Sequence, residues 1–178
     1  MLLNVLTIAF WDYLINLYPP YFQNIGVPDS LLGPTLALAS TAAFFASSFV
    51  HAIARKIGPR RSMLLATLTP GIIYLVLFIN RMPWLGILCV VLFRGFNALK
   101  HPLFADYQNR QIASSNRATV LSMINMIASV YTAGMGLLIG AIAEHSLEAA
   151  FLATGALVTI AALVILLGKK QQLSESAE

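Results

Sequence analysis

The stretch Arg55-Lys56-Ile57-Gly58-Pro59-Arg60-Arg61 is a tight basic turn between two long apolar runs, residues 31–54 and 62–79. Wound as α-helices rising about 1.5 Å per residue, runs of this length cross a hydrocarbon layer about 30 Å thick. The turn therefore sits in water at a membrane face. Four positive charges within seven residues assign that face to the cytoplasm, because short loops rich in Lys and Arg are held inside during insertion.

Composition agrees with this reading. Of 178 residues, 58% are hydrophobic and only 10% charged, too little polar surface to clothe a soluble domain. The expected class is an all-α, polytopic membrane protein embedded in a lipid bilayer. A net charge of +4 does not imply nucleic acid, because the basic residues are confined mainly to segments between spans, where membrane orientation explains them. Cys89 lies alone in an apolar run and is assigned to packing. The N-terminus has no basic lead and no small-residue cleavage site, so it reads as a retained span rather than a signal peptide. A chain that enters its first span without a polar lead-in is expected to be part of a longer protein.

Working outward from the turn gives six spans, at about residues 2–22, 31–54, 62–79, 84–107, 118–142 and 149–167. In the first, Asp12, Asn16, Pro19 and Gln23 share one helical face. The second, entered through Asp29 or Ser30 as N-cap, carries Gly33, Ala37, Ser40, Ser47 and Ser48, residues small enough to let helices approach in lipid. The third contains Pro70-Gly71, where a kink is expected. The fourth has a polar stripe, Arg94, Asn97, His101 and Gln108, with Lys100 beside it. The fifth places Ser122, Asn125, Ser129, Thr132, Gly136 and Gly140 on one face and is expected to be a packing surface. An acidic external loop, residues 143–148, leads into the sixth.

Counting charges tests the topology. Eight basic residues, Arg55, Lys56, Arg60, Arg61, Arg110, Arg117, Lys169 and Lys170, fall in segments on the side of the turn, and Arg81 alone falls on the other. Both termini are thus expected in the cytoplasm, in a cell membrane protein whose residues 1–170 form one six-helix domain and 171–178 a polar tail.

Around the turn, His51-Ala52-Ile53-Ala54-Arg55-Lys56-Ile57-Gly58-Pro59-Arg60-Arg61 resembles the loop after the second helix of the major facilitator superfamily, and its weaker copy after the eighth. Ala54, Lys56, Gly58, Arg60 and Arg61 match that motif. His51 stands where the motif has glycine, Arg55 where it has aspartate, and Pro59 where it has a basic residue; such degeneracy resembles the C-terminal copy. Asn116-Arg117-Ala118-Thr119-Val120-Leu121-Ser122 and the glycines from Gly134 to Gly140 resemble the eleventh helix of drug-efflux members. The resemblance implies half of a twelve-helix bundle, the C-terminal half, whose partner is the missing N-terminal half or a second copy of the chain. It further implies a small-molecule substrate and alternating access, with the basic turn, Arg55, Lys56, Gly58, Arg60 and Arg61, as a conformational loop.

Ionisable groups at mid-bilayer depth cost about 2.5–3.5 kcal/mol on insertion scales, so Asp12 and Arg94 need an interior partner or a water-filled cavity. They either face a substrate or proton pathway with Asn16, Asn97, His101 and Asn125, or form a structural ion pair. Lys100 and His101 also fit the cytoplasmic end of the span, with Lys100 snorkelling. Asn125 and Ser129 also fit helix–helix hydrogen bonds. Trp11, Tyr13, Tyr18 and Tyr21 fit the lining of a pocket for an aromatic substrate, Tyr18 and Tyr21 fit interfacial anchors better, and Met123 and Met126 fit packing. No G-x-S-x-G, H-E-x-x-H or paired-acid motif is present, and His51, His101 and His145 lie at three different span ends, so neither an enzyme nor a metal or other cofactor is expected. No nucleotide-binding loop is present either, which leaves a gradient of protons or another coupling ion as the energy source.

Overall fold

The computed structural model describes residues 13–111 and 116–175. Among these, six α-helices follow one another: α1 (Tyr13–Asn24), α2 (Leu32–Ile57), α3 (Pro59–Ile79), α4 (Pro83–Gln111), α5 (Arg117–His145) and α6 (Leu147–Glu175). Four stretches, Asp29–Ile57, Arg61–Ile79, Pro83–Asp106 and Arg117–His145, are long and apolar enough to cross a membrane, and Leu147–Leu163 is a shorter apolar helix. Helices suit that solvent because each satisfies its own backbone hydrogen bonds where no water can.

The connections are shorter than hydropathy suggests. The basic turn shrinks to Gly58: Arg55 and Lys56 occupy the last turn of α2, and Pro59 opens α3. Gly58 has φ +86° and ψ 150°, a region essentially reserved for glycine, so a side chain here would be strained. The loop expected at 143–148 is in fact Ser146, whose hydroxyl accepts from the Ala149 amide at 3.1 Å and so caps α6. Neither Asp29 nor Ser30 caps α2. They form a 3₁₀ turn, Asp29–Leu31, and Leu31 takes the cap position without a side-chain bond. The third residue of α2 is Pro34, which lacks one of the N–H groups a capping side chain would accept from. α3 runs unbroken through Pro70.

The closest pairings are α2 on α4, α3 on α6 and α3 on α4, with α5 resting on α6. At one end α1, α3, α4 and α6 close an aromatic core. Tyr74 meets Phe93 edge-on at 5.1 Å, and Tyr21 meets Phe151 edge-on at 5.1 Å, the geometry that ring quadrupoles favour. Beside it, Asn80 Nδ2 donates to the Tyr21 hydroxyl at 2.9 Å and to the Met82 carbonyl at 3.0 Å, and Arg81 pairs with Glu148 at 2.7 Å. At the Gly58 end, Val50, Ala66, Leu99 and Leu103 join α2, α3 and α4.

The exposed faces differ from expectation. α2 packs through Thr35, Ala39 and Val50, while Gly33, Ala37, Ser40, Ser47 and Ser48 are exposed. Its close approach to α4 comes from Ala42, whose Cβ lies 3.7 Å from where a Cβ on Gly95 would sit. α5 packs through Ile124, Ala128 and Ile139, leaving Ser122, Asn125, Ser129 and Gly140 exposed. The helical period was legible in the sequence, but in both helices the small, polar face points out of the bundle.

Candidate functional site

α1, α2 and α4 meet at a cleft lined by Leu14, Ile15 and Tyr18 of α1, Leu36 of α2, and Val90, Phe93 and Arg94 of α4. Three local features build it. The i, i+3, i+4 spacing of Val90, Phe93 and Arg94 puts them on one side of α4. Tyr18 is 8% exposed and leans edge-on against Phe22 at 5.4 Å. Leu36 is one residue from Thr35, which turns inward on α2. The lining is apolar except for the Tyr18 hydroxyl and the Arg94 guanidinium.

Arg94 is half-buried, and its Nε is fully enclosed with no hydrogen-bond partner among the described residues; the same holds for Oδ1 of Asn97, one turn along α4. A buried polar atom left without a bond costs about 1–3 kcal/mol, so each of these two atoms calls for a partner that the described residues do not supply. The cleft is narrow, with a free volume of about 10 Å³, room for about one water, and it offers donors at one edge.

Of the other residues singled out from sequence, Asn16, His101 and Asn125 are exposed and do not line this cleft. Asp12 lies outside the described residues, as does the side chain of Arg60. Around Gly58, Arg55, Lys56 and Arg61 are exposed, and the Ser62 hydroxyl donates to the Gly58 carbonyl at 2.9 Å. Ser129 donates to the Asn125 carbonyl of its own helix at 2.9 Å, so it serves as an intrahelical bond rather than a link between helices. α5 is tied to α1 instead by the Tyr13 hydroxyl, which donates to the Thr132 carbonyl.

Three residues are placed otherwise than the sequence suggested. Lys100 does not snorkel: it is 0% exposed, because α2 and α3 close over this end of α4. Its Nζ lies 5.6 Å from the Phe104 ring centroid, a cation–π contact. Tyr18 and Tyr21 are not interfacial anchors but core residues, 8% and 2% exposed. The available signal was the i, i+3, i+4 spacing of Tyr18, Tyr21 and Phe22, which puts three aromatic side chains on one helical face. Among the described residues no three His, Cys, Asp or Glu side chains converge in a way that could hold a metal ion.

A set of apolar helices of membrane-crossing length, some of which meet at an apolar cleft with a cationic edge, defines a multi-pass membrane protein. The family model of the Major Facilitator Superfamily matches residues 1–177, and the chain belongs to that family. Its members carry small molecules across membranes and are transporters rather than enzymes. No curated protein and no solved structure matches the chain.

Proposed function

We propose that the chain is a six-span, C-terminal half of a secondary transporter that moves a small molecule by alternating access, with efflux as its direction and protons as the coupling ion. The observation that carries this reading is the exposure of the wrong faces for lipid. Ser40 on α2 and Ser122 and Asn125 on α5 point outward, where hydrocarbon offers a polar group nothing, while Ser47, Ser48 and Ser129 on the same helices donate to carbonyls of their own helix. Such faces belong against a second six-helix unit or a water-filled path between two units. The occupant is the missing N-terminal half or a second copy, and the two units would rock about a midplane site.

Within this reading Asp12 carries the coupling proton, Arg94 and Asn97 face the substrate, and Asn16, His101 and Asn125 line the approach. The loop at Gly58 lies in the cytoplasm, as do both termini, in the cell membrane. Helix electrostatics supports that orientation. Arg55 and Lys56 suit the negative C-terminal end of α2, but Arg60 and Arg61 sit in the first turn of α3, where the dipole disfavours cations by about 0.3–1 kcal/mol each. Their presence is explained by membrane sidedness.

The test is stoichiometry joined to transport. The chain, purified in mild detergent, is expected to form a defined dimer or to bind a six-helix partner. Reconstituted, it should take up a small molecule when a proton gradient is imposed, and Asp12→Asn should abolish that dependence while leaving the elution profile unchanged. A dispersed monomer that transports nothing, alone or with a partner half, would sink the proposal.

A further inference from the structure

We infer that the turn between α3 and α4 is an anchor in the lipid interface on the membrane face opposite Gly58. The Trp84 indole sits at the boundary between headgroups and acyl chains, with Ile79 and Met82 inserted beside it. This placement needs only a membrane-spanning chain and holds whether or not the chain transports. Ile79, Met82 and Trp84 are 75%, 69% and 76% exposed. A loose turn could fold such side chains back against its own helices, but this turn is held. Asn80 is buried; its Nδ2 donates to the Tyr21 hydroxyl and the Met82 carbonyl, and its Oδ1 accepts from the Met82 amide at 2.9 Å. Its backbone amide donates to the Val76 carbonyl at 2.9 Å and so closes the last turn of α3. On the other side, Gly86 brings the first turn of α4 against the end of α1, where an added Cβ would lie 2.6 Å from Ile25 Cδ1 and 3.3 Å from Tyr21 Cε1. The three apolar side chains are thus fixed outward and need cover that the described residues do not supply.

Position and chemistry favour lipid as that cover. The stretches Arg61–Ile79 and Pro83–Asp106 are both of membrane-crossing length, and the turn joins them at the level where hydrocarbon gives way to headgroups. Ile79 ends an exposed stripe on α3, Leu65, Ile72 and Ile79 at i, i+7 and i+14, and Trp84 begins one on α4, Trp84, Leu88 and Leu92 at i, i+4 and i+8. The α4 stripe lies on a different side of the helix from Val90, Phe93 and Arg94, so it belongs to the outer wall and not to the cleft. The indole N–H of Trp84 is the first side-chain polar group on either stripe, which suits a boundary that is apolar on one side and wet on the other. Arg81, the charge on the turn, is held by Glu148 at 2.7 Å, so the turn presents no unbalanced charge to an acidic protein. By contrast, the faces assigned above to a second unit expose Ser40, Ser122 and Asn125. Seated in this way, Trp84 sets the depth of α3 and α4 in the bilayer.

The experiment is depth-resolved fluorescence of the full chain in phosphatidylcholine vesicles. Trp11→Phe leaves Trp84 as the sole tryptophan. Three quenchers are compared: phosphatidylcholine brominated near the headgroup, phosphatidylcholine brominated near the chain end, and iodide on both sides of the vesicle. Bromine near the headgroup is expected to quench most strongly, bromine near the chain end less, and iodide least. Strong iodide quenching with indifference to both lipids overturns the inference, because the turn then stands in water. Protection from all three quenchers also overturns it, in favour of a protein cover such as a second copy of the chain. Stronger quenching by bromine near the chain end overturns it as well, since the indole then lies deep in hydrocarbon. Ile79→Ser combined with Met82→Ser changes exposed positions that the fold tolerates. It should lift Trp84 toward water, lowering quenching by bromine near the headgroup and raising quenching by iodide. Unchanged quenching in that variant overturns the part assigned to Ile79 and Met82.

Discussion

Replacing Gly71 by alanine tests the packing on which the bundle depends. A Cβ at this position on α3 would lie 2.6 Å from Thr159 Oγ1, 3.1 Å from the Thr159 backbone nitrogen and 3.2 Å from Val158 Cγ1 on α6. The hydroxyl can turn away, because it has no hydrogen-bond partner among the described residues. The backbone nitrogen cannot move without moving α6, so the two helices must part by a few tenths of an ångström. Overpacking of this kind costs about 1–3 kcal/mol, while exchanging Gly for Ala inside a helix returns about 1 kcal/mol. Gly134, in α5, isolates the second effect, since nothing lies within 4 Å of its would-be Cβ. Unfolding in mixed micelles by an SDS titration, followed by far-ultraviolet circular dichroism, should find Gly134→Ala up to about 1 kcal/mol more stable than wild type. Gly71→Ala should fall below Gly134→Ala by about 1–3 kcal/mol. Equal shifts in the two variants would refute the close approach of α3 to α6. Gly155 gives a second reading from the opposite helix, because its Cβ would meet Leu75 Cδ2 at 2.9 Å and Tyr74 Cβ at 3.0 Å.

Tyr21→Phe removes the hydroxyl that accepts from Asn80 Nδ2 at 2.9 Å and donates to the Asn80 carbonyl at 3.3 Å; the same titration should register a loss of about 0.5–1.5 kcal/mol, and no loss would dissociate the pair from stability. The hydrogen bond from Arg81 holds the Glu148 carboxyl below its ordinary pKa, so this contribution is complete above the unfolded glutamate range and fades as pH falls through the lower folded value. The pair is largely exposed, with side chains 68% and 32% accessible, which keeps its size below about 1 kcal/mol and smaller in high salt. Stability measured from pH 7 to 3 should therefore lose a small acid-dependent component in Glu148→Gln, and parallel curves for the variant and wild type would count against the bond.

Hydropathy placed the helices but not their faces. Residues 31–54 and 118–142 were legible as spans because length and apolar content report membrane thickness directly. The direction of each face was not, because a surface against lipid and a surface against another helix have much the same composition. Hence Ser47 and Ser129, read as packing residues, are exposed, while Thr35, Thr67 and Thr154 are buried. Thr67 and Thr154 can be buried without a partner helix because each hydroxyl donates to the carbonyl four residues back, at 2.8 and 2.7 Å. Lys100 shows the same limit. Its neighbours Leu99 and Leu103 face inward, but whether a lysine beside them is covered depends on how α2 and α3 cross α4, which is a tertiary property. Arg94 was legible, since a charge in an apolar span announces itself. Its companions were legible only in part: Tyr18 fits a pocket-lining tyrosine from sequence, but it and Leu36 come from other helices, and nothing local links them to position 94.

The distribution of tight contacts also bears on how a half of this kind would work. A unit that rocks must move as one piece, which requires its helices to be joined to each other more firmly than to its partner. In this chain the joints lie among α1, α3, α4 and α6: the edge-on pairs Tyr74–Phe93 and Tyr21–Phe151, the Asn80 bonds to Tyr21 and Met82, and the Arg81–Glu148 bridge. α2 is fixed to α4 along the apolar seam at Val50 and Leu99, and α5 touches the rest through α6 and Tyr13. The faces that α2 and α5 leave exposed mix small and polar side chains with large apolar ones, Phe44, Phe45 and Phe49 on α2 and Val130, Leu137 and Leu138 on α5, so a second unit docked there would bury apolar area as well as polar groups. Arg94 stands at the edge of a cleft walled by α1, α2 and α4, and α2 on α4 is among the closest pairings, so the cleft belongs to the unit that moves as one piece. Linking cysteines placed at Ala42 and Gly95, where the Cβ positions lie 3.7 Å apart, should then leave transport unchanged, and a link there that blocks transport would refute a rigid half.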